Sequence, residues 1–209
     1  AWLLAVCLGV GGLARAQDDA SRLSGGRLVE VGKGYSQTSV NTAIFRNSAL
    51  VTHKGVQYIS YYDAEGYLTL GKRKQGSGQW TLHRTQYKGN VKDAHNVISM
   101  MVDGEGYLHV AFDHHGQPLN YCRSVAPCSL ELGEKEAMTG VDEENVTYPE
   151  FYRLSQGNLL FAYRSGASGQ GNLVMNRYDT RTRTWSRVQD VLLDGEGERN
   201  AYWQLYVDG

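Results

Sequence analysis

The sequence predicts an all-β protein, a β-propeller of four-stranded antiparallel blades, and three observations predict it. Its composition favours strands over helices: 11% of the 209 residues are aromatic, 14 are Tyr, 25 are Gly and only 3 are Pro. A self-similar unit of about 50 residues recurs, with turn glycines Gly55, Gly106, Gly157 and Gly209 at steps of 51, 51 and 52 residues. Around each glycine, apolar alternation leads into a tight turn and out again, the pattern of an antiparallel hairpin.

The elements follow in order. The segments SALVTHKGVQYISYYD, SMMVDGEGYLHVAFDH and FYRLSQGNLLFAYRS supply the first two strands of three units, and QLYVDG opens a fourth. Ile59, Val110 and Phe161 occupy equivalent places, as do Tyr61, Phe112 and Tyr163. Alternate strand positions share a face, so these side chains are expected between blades. Third strands are expected over Leu68–Lys74, Leu119–Ser124 and Leu173–Asp179, and fourth strands around Trp80 and Trp185. No amphipathic helical stretch competes. The glycine-rich run Gly166 to Gly171 lacks the Lys-Ser/Thr ending of a phosphate-binding loop and is read as a plain loop. By this count about 3.5 blades are present, where closed propellers have four to eight. The chain therefore reads as a part of a longer propeller.

The start of the chain reads differently. Trp2 to Leu13 are apolar and Ala14-Arg15-Ala16 resembles a cleavage site, so residues 1–16 are read as a secretory signal peptide. The run is short for a membrane span, which needs about 20 residues. No stable membrane insertion is expected after cleavage, and the protein is expected to be secreted, extracellular or periplasmic. Residues 17–38 lead into the first blade and 39–209 form the partial propeller. Cys7 leaves with the signal, and Cys122 and Cys128 remain as a candidate disulfide, with two free thiols as the alternative. Asn145-Val146-Thr147 is a glycosylation sequon at Asn145. A net charge of −1 implies no basic face for nucleic acid.

Four of the six His fall in one unit: His95, His109, His114 and His115. His109 lies inside a strand, where a packing role is expected. His95, in DAHN, precedes the first strand of its unit, while His114 and His115, in FDHHG, follow the second. Hairpin geometry brings those ends to the same rim. The next unit repeats the logic with Tyr148 in TYPEF and Arg164 in YRSGASG, and adjacent blades turn the two pairs toward one cleft. This set suits β-elimination from a uronic acid. An Arg neutralises the carboxylate, while a His and a Tyr share removal of the C5 proton and protonation of the C4 oxygen. The chemistry demands no metal or cofactor. A glycosidase needs two carboxylates flanking the bond, and although Asp113 and Glu150 lie near this rim no clear pair stands out. No sialidase-type Asp-box and no usable nucleophile elbow is present.

The stretches DAHNVISMMVDGEGYLHVAFDHHGQPLNYCRS, VTYPEFYRLSQGNLLFAYRSGASGQGN and NAYWQLYVDG resemble the BNR-repeat-containing family, which includes propeller-fold ulvan lyases. The resemblance covers Ser39 to Gly209 and implies a seven-bladed whole acting on an acidic polysaccharide. By motif it implies His95 and Tyr148 as base and acid in either order, and Arg164 as the neutralising group. His115 is implied in substrate binding, with His114 as the alternative and Asn96 in the same AHN motif. Structural metal sites in other blades are left open. The competing readings are a non-catalytic glycan-binding propeller, with Tyr148, Tyr202 and Trp203 as stacking aromatics, and a glycoside hydrolase on the same fold.

Overall fold

Each turn glycine does what alternation around it requires. In a computed structural model of the protein, residues 28–43, 48–199 and 202–207 are described. Gly55, Gly106 and Gly157 all have positive φ (76°, 97° and 79°), a region glycine enters without steric cost. At the first turn Lys54 is also left-handed (φ 46°) between the paired residues His53 and Val56, the conformation that suits a two-residue hairpin loop. The signal-peptide reading of residues 1–16, with Cys7, and the fourth turn glycine, Gly209, lie outside the described residues.

Three antiparallel sheets result. The first runs β1 (Leu50–His53), β2 (Val56–Tyr62), β3 (Tyr67–Lys74), β4 (Thr81–Lys88). The second runs β5 (Ile98–Val102), β6 (Leu108–Phe112), β8 (Tyr121–Ser124), β9 (Leu132–Lys135). The third contains β10 (Val146–Arg153), β11 (Leu159–Ser165), β12 (Asn172–Asp179) and β13 (Thr184–Arg187) in sequence order. It gains a fifth member, β7 (His115–Gln117), which leaves the second unit and pairs with β10. The middle unit thus has a fourth strand at Leu132–Lys135, where no Trp marks it. The segment 202–207 forms no strand. The count is therefore three blades, with no strand described in the fourth unit.

Burial falls from the inner strands outward. Every residue of β5 and β6 is buried, because the middle blade is covered on both faces, whereas β4 and β13 keep mostly exposed or half-buried positions. One core runs through all three blades and includes Tyr58, Tyr62, Phe112, Tyr121, Phe151 and Tyr163. Val110, Phe161, Tyr61, Phe112 and Tyr163 are buried as their equivalent places require, and Ile59 is half-buried. Burying each such side chain is worth about 1.5–3 kcal/mol. His109 has the packing role expected of it: fully buried, it bonds Tyr121 Oη (2.6 Å) and Asp103 (3.2 Å).

Blade is joined to blade by backbone as well as side chains. The Gly104 N–H, in the β5–β6 turn, donates to the Gly157 carbonyl in the next blade's turn (3.0 Å). Arg153 Nη2 donates to the Val102 carbonyl (2.7 Å). At the other end of the structure, Asn41 brackets Tyr62, donating to its carbonyl (2.8 Å) and accepting from its N–H (2.9 Å).

The disulfide expected between Cys122 and Cys128 is not formed; both are free, Cys122 buried and Cys128 exposed. The two thiols serve different neighbourhoods. Cys122 points out of β8 toward Tyr87, and Cys128, in the following loop, lies beside Tyr58 and the Gly106 turn. Burial pushes the Cys122 thiol up to about 11, so it stays an inert thiol near neutrality. Among the described residues no helix is long and apolar enough to cross a membrane.

Candidate active site

Two backbone distortions and one borrowed strand build the site. After β6, Asp113 takes a left-handed conformation (φ 64°) and its Oδ1 accepts the Asn90 N–H (2.7 Å), anchoring the loop that carries Asp93 and His95. The chain then alternates. His114 turns inward and is fully buried, while His115 turns outward at the start of β7. The Gly116 N–H donates to Thr147 Oγ1 (2.9 Å) and His115 pairs with Thr147, so His115 is delivered to the neighbouring blade. On that blade the ladder breaks between Thr147 and Glu150. Within the break Tyr148 has φ 56° and is followed by Pro149. An aromatic residue rarely adopts that conformation, and such bulges re-aim side chains.

The result is a cluster of the four expected residues. The rings of His95 and His115 stack with centroids 4.0 Å apart, and Tyr148 lies 6.1 Å from His95. Arg164, on β11 opposite Thr147, puts its guanidinium carbon 5.1 Å from the Tyr148 ring. Its side chain lies across Gly171, where a Cβ would stand 2.5 Å from Arg164 Cδ. Gly171→Ala is therefore expected to shift the guanidinium and cut turnover about 10- to 100-fold, with little loss of stability, as steady-state rates beside a melting curve would show.

Arg164 is only 3% exposed, and its Nε and Nη1 find no hydrogen-bond partner among the described residues. A buried guanidinium with two idle donors is a costly arrangement unless an anion completes it.

Asp93 is the residue that sequence reasoning missed. Its Oδ1 accepts from the His95 backbone N–H (2.9 Å) and meets His95 Nδ1 (2.7 Å), while Oδ2 meets His115 Nδ1 (2.6 Å). Burial alone would raise its carboxyl. The His95 backbone N–H and the two imidazoles outweigh that and hold it down at about 2. Its place in the DAHN motif was visible, but the bond to His115 spans 22 residues and has no local signal.

Asp93, His95 and His115 offer ligand atoms within 4.8 Å of one another, as a metal triad would. The rings, however, lie within 22° of parallel. Parallel Nδ1 atoms fit the two oxygens of one carboxylate better than the single point of a shared ion.

His114 and Asn96 do not line the cleft as expected. His114 is 0% exposed; its Nε2 accepts the Asn120 N–H (2.8 Å), and burial followed by nearby Lys135 holds it down at about 3. Asn96 is 2% exposed, its amide donating back to the Asn90 carbonyl (3.0 Å) and its own carbonyl accepting from Tyr62 Oη (2.8 Å). Tyr202 stands 64% exposed with its ring 6.0 Å from Tyr148, whereas Trp203 turns away onto Ala162, Leu173 and Met175. Asn145 is exposed just before β10.

His114 has a consequence for acid stability. It is neutral when folded and takes up a proton only when unfolded between about pH 6.5 and 3, so acidification through that window favours unfolding. His114→Gln should remove much of a slope worth roughly 3–5 kcal/mol, read as a shallower fall of denaturant midpoint with pH.

The antiparallel four-stranded blades thus bring His95, His115, Tyr148 and Arg164 together across two blades of a propeller-type fold. The profile of the BNR repeat-containing family matches residues 56–209, and the chain belongs to that family. It is 38% identical over 176 residues to an ulvan lyase, short isoform, of Alteromonas sp. (strain LOR), covering 61% of this chain and 33% of that protein. It is 28% identical over 188 residues to an ulvan lyase, long isoform, of Pseudoalteromonas sp. (strain PLSV), covering 66% of this chain and 19% of that protein. The chain thus spans between a fifth and a third of the length of these relatives. Its fold matches that of a PL25 ulvan lyase bound to -[GlcA(1-4)Rha3S]-, with a TM-score of 0.61 at 19% identity over 76% of this chain and 40% of that one.

Proposed function

We propose that the protein is a polysaccharide lyase that cleaves a uronate-containing, ulvan-type glycan by β-elimination. The observation that carries the reading is Arg164, a buried cation with two idle donors beside a His and a Tyr. A substrate carboxylate would complete its hydrogen bonding. The similarity to ulvan lyases supports the same substrate class.

In this reading Arg164 binds the uronate carboxylate and spreads the charge that develops when the C5 proton leaves. His95 takes that proton. The electron pair of the C5–H bond then forms the C4=C5 double bond as the C4–O bond breaks. Tyr148 gives its phenolic proton to the departing oxygen. Burial, then the neighbouring Tyr202, keep Tyr148 above the ordinary phenol value against the pull of Arg164, which suits a proton donor more than a base. His115 assists in binding the acidic chain. Elimination of this kind demands no metal or cofactor.

A hydrolase would need a free carboxylate pair, but Asp93 is engaged by both imidazoles and Glu150 by the Tyr152 hydroxyl. The exposed Tyr202 ring also suits a propeller that binds sugars without cleaving them. Secretion, within a seven-bladed whole, belongs to the same proposal, since a polymer of this size is met outside the cytoplasm.

The test is incubation of the intact protein with ulvan while following the ultraviolet absorbance of an unsaturated uronate. A rise that is lost in His95→Ala supports elimination at this site. Binding without a rise selects the non-catalytic reading, and new reducing ends without the chromophore select a hydrolase.

A further inference from the structure

A carboxylate that takes the Nδ1 edge of two stacked imidazoles decides which nitrogen of each ring carries its proton. Asp93 makes both contacts at once, 2.7 Å to His95 and 2.6 Å to His115, with one oxygen for each. An ionised carboxylate only accepts, so each Nδ1 must donate. Asp93 is itself fixed, because Oδ1 also takes the His95 backbone N–H (2.9 Å).

We propose that Asp93 is the positioning residue of this site, holding His95 and His115 together as Nδ1–H tautomers and leaving Nε2 of each as the unprotonated nitrogen. The catalytic consequence rests on the lyase reading; the tautomer assignment does not. When Nε2 of His95 accepts the C5 proton, the ring becomes an imidazolium with both N–H groups in place. Asp93 stays ionised and balances the new charge. His115, stacked at 4.0 Å, gives its own Nδ1–H to the other oxygen of the same carboxylate. The other groups facing His95 are Tyr148 of β10 and, behind that ring, Arg164 of β11, with Asp113 coupled to the cluster through Asp93.

Asp93→Asn makes the inference sharp. An amide has one accepting oxygen and one donating nitrogen where the carboxylate had two acceptors. It can satisfy one Nδ1–H, but its NH2 group must face a bare Nδ1 on the other ring, which is thereby driven to the Nε2–H tautomer.

The experiment uses the intact protein labelled with 15N-histidine and, in parallel, its rate on ulvan. In the wild type, two-dimensional NMR should show His95 and His115, assigned by His95→Gln and His115→Gln, with protonated Nδ1 and bare Nε2. In Asp93→Asn one of the two should switch. Turnover should fall about 10²- to 10⁴-fold at a KM within a few-fold of wild type. Wild-type rings bearing Nε2–H would overturn the proposal. So would unchanged tautomers and turnover in Asp93→Asn, or Nδ1 signals that show metal ligation and change on chelation. If ulvan is not cleaved by the wild type, the lyase reading fails while the spectra still judge Asp93.

Discussion

Arg164→Ala is expected to lower elimination at least about 10³-fold while costing the fold little stability. Both halves follow from one observation. The guanidinium is 3% exposed, yet its Nε and Nη1 bond nothing among the described residues. In the substrate-free protein its contacts with the Tyr148 and Tyr202 rings offset only part of its desolvation, so removing it costs the fold little. In the reacting complex the same donors meet charge that grows on the uronate carboxylate, where each is worth most. Arg164→Lys should recover little, since an ammonium offers a point charge where the fork of two N–H groups is needed. Rates of unsaturated-product formation beside a melting curve check this. A variant that keeps a tenth of wild-type activity, or that loses stability in proportion to activity, would remove Arg164 from the chemistry.

The second large effect concerns stability. Gly157→Ala should cost about 2–5 kcal/mol, combining a left-handed penalty of about 1–2 with overpacking of about 1–3. A Cβ at Gly157 would stand 2.2 Å from the Gly104 Cα of the neighbouring turn. That backbone is itself held by the Gly104 N–H to Gly157 carbonyl bond and cannot step aside cheaply. Gly55 is the control. Its φ of 76° nearly equals the 79° of Gly157, but nothing lies within 4 Å of its Cβ. Gly55→Ala should therefore cost only the conformational part, about 1–2 kcal/mol. Equal losses in the two variants, read from urea midpoints, would mean that the contact between the turns contributes nothing.

These two glycines also mark what a sequence makes legible. Turn chemistry and apolar alternation are local, so Gly55, Gly106 and Gly157 announced their hairpins, and the hairpin ends brought His95, His115, Tyr148 and Arg164 to one rim. What escaped notice depends on contacts between distant residues. His115-Gly116-Gln117 carries no strand pattern and becomes β7 only because β10 offers a free edge. The left-handed Tyr148 runs against its own preference and is held there by the bulge around it. The fourth strand of the middle blade lacks the Trp that marked its counterparts. The pairing expected of Cys122 and Cys128 followed from their number, whereas their strand and loop send the thiols to different neighbours.

Propellers grow by copying blades, and a copy that folds by itself carries its function with it. The strand β7 breaks that rule here. It is encoded within the second repeat and hydrogen-bonded into the third, so neither repeat owns the cleft. Duplicating or transplanting one blade would separate His95 and His115 from Tyr148 and Arg164. The smallest heritable module for this chemistry is the stitched pair of blades, and grafting it elsewhere means moving residues 90–187 as one piece.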